Sequence, residues 1–359
     1  MSTSVFIIAE AGVNHNGSLD LALQLVEKAA QAGADAVKFQ TFKAERLVTP
    51  GAGKAEYQQR TTSSTESQLA MLKRLELDEE AHLALLEHCR KCKVEFMSTP
   101  FDTFSLAFLV ERCSLKRLKL PSGELTNGPL LLAAARTGLP ILLSTGMGTL
   151  GEVEEALMVL AFGYLNPSGH PTKEALLEAF ISEEGQDVLR ERVTLLHCTS
   201  EYPAPLKEVH LRSIDTMAAA FGLRTGYSDH TEGIAVPLAA VARGAVVIEK
   251  HFTLDRSLPG PDHRSSLEPH ELAAMVQGIR EVETALGRPA KTPSRTELRN
   301  RIPVRKSVVA AANIEPGQLF TESNLTAKRP GDGISAMRYW ELLGRPANRS
   351  YNQDDKIEL

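Results

Sequence analysis

The chain is poor in cysteine, carries no excess of basic residues and contains no long apolar run, and each shortage removes a class of function. Four cysteines in 359 residues, Cys89, Cys92, Cys113 and Cys198, are too few for a disulfide scaffold, which fits a reducing compartment. Cys89-Arg90-Lys91-Cys92 lies in a helical pattern with no second CxxC, so partly buried helical thiols are expected there in preference to zinc or redox chemistry. A formal net charge of -5 argues against nucleic acid or an anionic membrane as partner. No stretch approaches the ~20 apolar residues that span a bilayer. Met1 to Ile8 lacks the basic start and apolar segment of a secretion signal, so the expected location is cytoplasmic.

What the chain does have is a series of eight apolar runs: Val5 to Ala11, Ala36 to Thr41, Val94 to Thr99, Arg117 to Ser122, Pro140 to Gly146, Val193 to Thr199, Arg224 to His230 and Val246 to Phe252. Helical patterns separate them, such as Ser18 to Ala32 with Ser18 as N-cap and Gly33 as C-cap, and Gly151 to Leu160. Eight strand-helix units over about 285 residues predict a (β/α)8 TIM barrel, since a doubly wound sheet more often stops at five to seven strands. Two long intervals interrupt the rhythm. The polar stretch Thr61 to Ser67 reads as a loop at the catalytic rim, and Gly163 to Arg192 as a Pro/Gly loop followed by an acidic helix. After Leu286 the texture changes, giving a catalytic domain at 1–286, a Pro/Arg-rich linker at 287–303 and a small domain of short strands and turns at 304–359. A domain of about 55 residues is marginal alone and is expected to pack on a barrel, its own or that of a second subunit.

His230 and His251 each end one of two consecutive apolar runs that a crossover of helical length separates. Adjacent parallel strands deliver such residues to one rim, so the pair predicts a metal site, although buried histidines also serve as ordinary hydrogen-bond partners. Counting by twos puts Glu10, Lys38 with Gln40, Lys119, Ser228 with His230, and Glu249 with His251 on one face. Ile7, Val37 with Phe39, Leu118 with Leu120, and Ile248 fall on the other, which is the helix-facing one. Two lysines and several carboxylates would then converge inside the barrel, where unpaired charge is costly, and an anionic, oxygen-rich substrate follows. Salt bridges within the barrel would account for either lysine singly. With Ser122 and Ser144-Thr145-Gly146 at neighbouring strand ends, both together look like a phosphate or carboxylate cradle.

Six ordered motifs carry a resemblance: Ile8 to Gly17, Lys38-Phe39-Gln40-Thr41, Ser98-Thr99-Pro100-Phe101-Asp102, Pro121-Ser122-Gly123-Glu124, Gly226 to Thr231 and Pro259-Gly260-Pro261-Asp262-His263. They resemble the sialic acid synthase family, and Ser307 onward, with Lys328-Arg329-Pro330-Gly331, resembles that family's C-terminal antifreeze-like (SAF) domain. The resemblance implies a condensation of phosphoenolpyruvate with an N-acylated mannose-type sugar to give a nine-carbon 3-deoxy-ulosonic acid and phosphate. N-acetylmannosamine is the first expectation for that sugar. A diacetamido-trideoxy hexose, as in the legionaminate branch that Lys54-Ala55-Glu56-Tyr57-Gln58 also resembles, is the alternative.

By the same resemblance His230 and His251 would hold a divalent ion, manganese or magnesium, and Glu124 would be the water-activating base. Lys38, Lys119, Ser122 and Ser228 match phosphoenolpyruvate contacts, with Thr99 a further substrate contact. Glu10, Gln40, Tyr202 and Asp262 match positions near the sugar. Arg329 matches an arginine that reaches the partner's active site in a domain-swapped homodimer. Ser200 departs from the asparagine many members carry, so a phosphate contact there would rest on a shorter hydroxyl. Asn14-His15-Asn16-Gly17 could equally be a loop of side-chain caps leading into the first helix. Two readings compete with this one: a synthase acting on a phosphorylated aldose, which would want an arginine-rich second phosphate site, and a non-catalytic sugar-binding protein.

Overall fold

The computed structural model describes residues 4–62 and 66–359, which fall into two compact units, residues 1–287 and 288–359. In the first unit all eight expected strands form: β1 (Phe6–Gly12), β2 (Ala36–Thr41), β3 (Glu95–Pro100), β4 (Leu118–Leu120), β5 (Ile141–Ser144), β6 (Val193–His197), β7 (Arg224–Asp229) and β8 (Val247–His251). Parallel pairing runs in the order β3-β2-β1-β8-β7-β6-β5-β4. The two ends, β3 and β4, lie side by side, and Arg117 bridges to Glu95 through both guanidinium arms at 2.9 and 3.4 Å. The sheet thereby closes to a barrel, with a seam that side chains bridge.

Strand parity sorts the core as expected. Ile7, Val37, Phe39, Leu118, Leu120 and Ile248 pack outward under the helices in one large cluster. Ile8, Ala36, Met97, Leu142, Leu196 and Val247 form a separate apolar plug inside the barrel. Glu10, Lys38 and Glu249 stand directly above that plug, because each lies two positions further along its strand than Ile8, Ala36 and Val247. Register places them side by side: Glu10 is opposite both Lys38 and His251, and Ser228 is opposite Glu249.

The first helix, Leu19–Gln31, starts where Ser18 accepts a hydrogen bond from the Leu21 amide, and Gly33 follows it at φ +81°. The long β2–β3 interval holds the helices Ala44–Leu47, Glu56–Thr61, Gln68–Leu75 and Glu79–Cys92. Of the rim loop expected at Thr61 to Ser67, Ser63 to Thr65 lie outside the described residues. Gly17, at φ +76°, sits so close to the Arg74 carbonyl at the end of the third of these helices that a Cβ would overlap it. The 163–192 interval is more helical than expected, with Lys173–Ile181 and Glu183–Arg192 sharing Ser182 as C-cap and N-cap. The Cys89–Cys92 pair does lie on a helix, as free thiols, and burial pushes the Cys89 thiol up to about 12. No helix among the described residues is long and apolar enough to cross a membrane.

In the second unit β9 (Ser307–Ala310) and β10 (Leu325–Lys328) pair antiparallel over a small core that includes Val308, Ile314, Phe320, Leu342 and Tyr351. The segment read as linker is partly ordered: Arg295–Val304 is a helix. Its start has a sequence signal, since Ser294 and Glu297 form a reciprocal capping box. None of its residues is buried, however, and the absence of an apolar stripe is why it reads as linker.

Candidate active site

At the carboxyl ends of the barrel strands lies a cavity of about 430 Å³. The barrel residues that the resemblance singled out line it, from Glu10 on β1 to Asp262 after β8, and of Ser144-Thr145-Gly146 only Ser144 does. Arg329 belongs to the second unit, where it is exposed directly after β10.

Glu249 is the hub of the floor. Lys119 Nζ lies 3.3 Å from its Oε1 and Lys38 Nζ 3.7 Å from its Oε2. Ser228 donates to Oε1 at 2.8 Å. Lys38 also lies 2.6 Å from Glu10 and donates to Thr99 Oγ1 at 2.9 Å. All four charged groups are nearly inaccessible to solvent. Burial pulls the Glu249 carboxyl up, but Lys119 and Lys38 outweigh it and hold the group down at about 2. At Glu10 burial wins, with Glu249 adding repulsion, and the carboxyl is pushed up to about 7 despite Lys38. Two lysines thus gather round Glu249, while Glu10, beside Lys38, takes up a proton as pH falls through about 7. The salt-bridge reading describes both lysines, with one carboxylate shared between the two of them.

Beside this floor is a ring of small hydroxyl groups. The Gly146 amide donates to Ser122 Oγ at 3.0 Å, and Ser122 Oγ lies 3.0 Å from Cys198 Sγ. A Cβ at Gly146 would collide with Ser200, Cys198 and Ser122 together, so the ring closes only around a glycine. Ser144 Oγ, buried on the same side, has no hydrogen-bond partner among the described residues. Glu124 stands at the rim, accepting from Asn127 at 2.6 Å.

His230, directly after β7, and His251, at the end of β8, have ring centroids 5.6 Å apart. Tyr202 packs 4.1 Å from the first and 5.5 Å from the second. The His230 Nδ1–H donates to the Thr199 carbonyl at 2.6 Å, which fixes the tautomer and leaves Nε2 with its lone pair. Burial lowers His230 to about 4 and takes His251 well below its ordinary value, so both imidazoles are neutral. His251 Nδ1 is buried without a partner among the described residues. No group of three or more His, Cys, Asp or Glu side chains converges for a metal among those residues. Asp262 borders the same region, and burial alone raises its carboxyl to about 7.

His15 is not part of this site. It is buried, it accepts from the Gly17 amide at 3.0 Å, and burial lowers it to about 4. The Asn14–Gly17 segment is therefore a capped loop leading into the first helix. Sequence reasoning missed the hub role of Glu249, although its position two residues before His251 on the inward face was the available signal. It also missed an apolar wall made by Val13, Leu47, Val48, Met71, Leu72 and Phe101, for which no strand parity exists.

A family model described as the NeuB family matches residues 25–291, and one for the SAF domain matches residues 305–355. The chain belongs to the NeuB family. Two relatives named N,N'-diacetyllegionaminic acid synthase align over nearly all of it. The one from Campylobacter jejuni is 50% identical over 98% of both chains. The one from Legionella pneumophila is 46% identical over 96% of this chain and 90% of its own. A crystal structure of the N-acetylneuraminic acid synthetase of Leptospira borgpetersenii superposes with a TM-score of 0.67 at 34% identity, covering 83% of this chain and 90% of that one. Membership of the NeuB family makes this protein an enzyme, a synthase that forms a carbon–carbon bond.

Proposed function

We propose that the enzyme condenses phosphoenolpyruvate with an N-acylated hexose of the mannose type, releasing phosphate and forming a nine-carbon 3-deoxy-ulosonic acid. The observation that carries this reading is the pairing, in one cavity, of Lys38 and Lys119 gathered round Glu249 with two neutral imidazoles at the ends of the neighbouring strands β7 and β8. Phosphoenolpyruvate would lie on the lysines, its phosphate toward Ser122, Gly146 and Ser200. Carbon C3 of the enol attacks the sugar aldehyde, water adds at C2, and phosphate leaves by C–O cleavage. Glu124 is the proposed base for that water, while Glu10, Gln40, Tyr202 and Asp262 border the sugar.

His230 and His251 would hold a divalent ion, and the fit rests on their neutral rings, the committed Nδ1 of His230 and the unpartnered buried nitrogen of His251. Bound there, manganese or magnesium would supply Lewis-acid polarisation of the aldehyde oxygen, and imidazole donors suit manganese better. No arginine among the described residues lines the cavity, which speaks against a phosphorylated aldose as substrate. The sequence puts N-acetylmannosamine first, but the names of the two relatives favour the diacetamido-trideoxy hexose.

Phosphate release, measured after chelation and manganese addition, tests the reading with each of the two sugars and with a phosphorylated aldose. Release with an unphosphorylated acylamino sugar is expected. Release only with the phosphorylated aldose, or none at all, would overturn it. The C-terminal unit, which exposes Met337 and Trp340, is proposed to cover the site of a second protomer in a homodimer, with Arg329 acting in trans. Mixing Arg329→Ala with Glu124→Gln protein should restore activity after subunit exchange. Exchange without recovery would place the arginine elsewhere.

A further inference from the structure

The cavity has a polar floor, to which β1 to β3 contribute Glu10, Lys38, Gln40 and Thr99, and above it a rim that differs from one side of the barrel to the other. The ends of β4 to β7 contribute Lys119, Ser122, Ser144, Ser200 and Ser228, whereas the loops after β1, β2 and β3 contribute Val13, Leu47, Val48, Met71, Leu72 and Phe101. The apolar side is a built wall. Met71, Leu72, Leu75, Val13, Phe42 and Ala44 form a cluster of their own, apart from the barrel core, with Leu47, Val48 and Phe101 packed on it. Ser67 caps the helix Gln68–Leu75, and Glu76 accepts from the Ala44 amide at 2.6 Å, which ties the two ends of the wall together. Gln58 and Gln68, with amide groups 3.4 Å apart, border it.

We infer that this wall selects the sugar by seating its methyl-bearing end, so that Leu47, Val48, Met71 and Leu72 discriminate a 6-deoxy, 4-acylamino hexose from one carrying hydroxyl groups at C4 and C6. The inference rests on the condensation proposed above. If the lysines on the floor anchor phosphoenolpyruvate and the imidazoles lie by the aldehyde, the far end of the sugar has the rim above β1–β3 left to it, where the wall stands. Against the aliphatic side chains of the wall a hydroxyl would give up water without gaining a partner, while methyl groups are buried at no such loss. The glutamine amides beside the wall match the one polar group such a sugar keeps there, the amide of its C4 substituent.

The test compares kcat/KM for 2,4-diacetamido-2,4,6-trideoxymannose and for N-acetylmannosamine in the full-length protein, read as phosphate release. An apolar pocket discriminates against an added hydroxyl by about a hundredfold at most, so wild type should prefer the deoxy sugar by tens-fold to about a hundredfold. Val48→Thr keeps the shape and adds a hydroxyl, and should narrow that ratio roughly tenfold while leaving the KM for phosphoenolpyruvate unchanged. Leu47→Gln, at a half-buried position, provides a second variant with the same expected direction. Equal kcat/KM on the two sugars in wild type, or an unchanged ratio in both variants, would overturn the role of the wall while leaving the condensation standing. So would an equal loss on both sugars accompanied by a change in oligomeric state, which would make the wall a docking face for a second copy. No phosphate from either sugar would overturn the condensation, and the wall's role with it.

Discussion

Strand β8 carries two buried charged side chains in succession, and they serve opposite ends. Lys250 points outward and is fully enclosed: Asp229 lies 2.6 Å away, the Thr231 carbonyl accepts a second bond, and Asp229 takes the Thr231 amide at 2.9 Å. Every strong partner there is protein, and the knot holds the corner between Ser228 and Thr231 that presents His230. One residue earlier, Glu249 points inward and is shared by two lysines and a serine at the edge of a cavity. Burial lowers the Lys250 ammonium even beside Asp229, whereas Glu10 and Glu249 together outweigh burial and raise Lys38. A buried charge closed by its own chain is locked into the fold. One that borders a cavity stays within reach of a ligand.

The sharpest way to break this contrast is to remove the groups that face the void and ask whether the fold notices. His230→Ala and His251→Ala should each abolish metal-dependent turnover and weaken metal binding by far more than tenfold, with circular dichroism unchanged. Full activity after chelation and metal titration would remove both from a metal site.

The lysines allow a direct exchange. Lys250→Met leaves Asp229 buried without compensation and should cost about 3–5 kcal/mol in denaturant unfolding, with the KM for phosphoenolpyruvate unmoved. Lys38→Met should raise that KM roughly a hundredfold, the worth of a lost charge-assisted contact, and destabilise less because Glu10 takes up a proton readily. If the two phenotypes are interchanged, closure is not what separates structural from functional charge.

Glu124→Gln keeps the rim contact with Asn127 and removes a base, so turnover should fall roughly a hundredfold with little change in phosphoenolpyruvate affinity. A collapse of affinity with turnover intact would make it a binding group.

The smallest effect is in pH. Glu10 is raised from 4.5 to about 7, so its contribution to stability is complete below its unfolded value and is lost as pH rises through 7. Ionisation also places a second anion beside Lys38. The KM for phosphoenolpyruvate should therefore climb several-fold as pH rises through that range, and Glu10→Gln should flatten the climb and be the more stable protein at the alkaline end. A profile unchanged by the substitution would assign the titration elsewhere.

How far the sequence reaches depends on whether direction is encoded locally. Along a strand the side-chain period is two, so alternation alone aims Lys38, Ser228 and His251 into the barrel. The same rule puts Glu249 on the inward face but does not make it a centre, because a shared carboxylate is a property of three strands at once. Loops have no such period. Met71 and Leu72 sit on a helix whose apolar side looks like ordinary core, and only the packing of Val13, Phe42 and Ala44 beneath it turns part of that side toward the cavity. Backbone partners are equally silent: the Thr199 carbonyl that sets the His230 tautomer is a feature of every residue type.

Gly17 joins the part that could be read to the part that could not. With its Cα pressed against the Arg74 carbonyl, the loop that opens the first barrel helix and the helix that floors the apolar wall share a fixed gap set by the absence of a single methyl group. Restoring that methyl would act as a wedge, lifting the floor from a distance. The fit of the wall to whatever lies on it can thus be retuned from a position that touches neither the lysines nor the imidazoles.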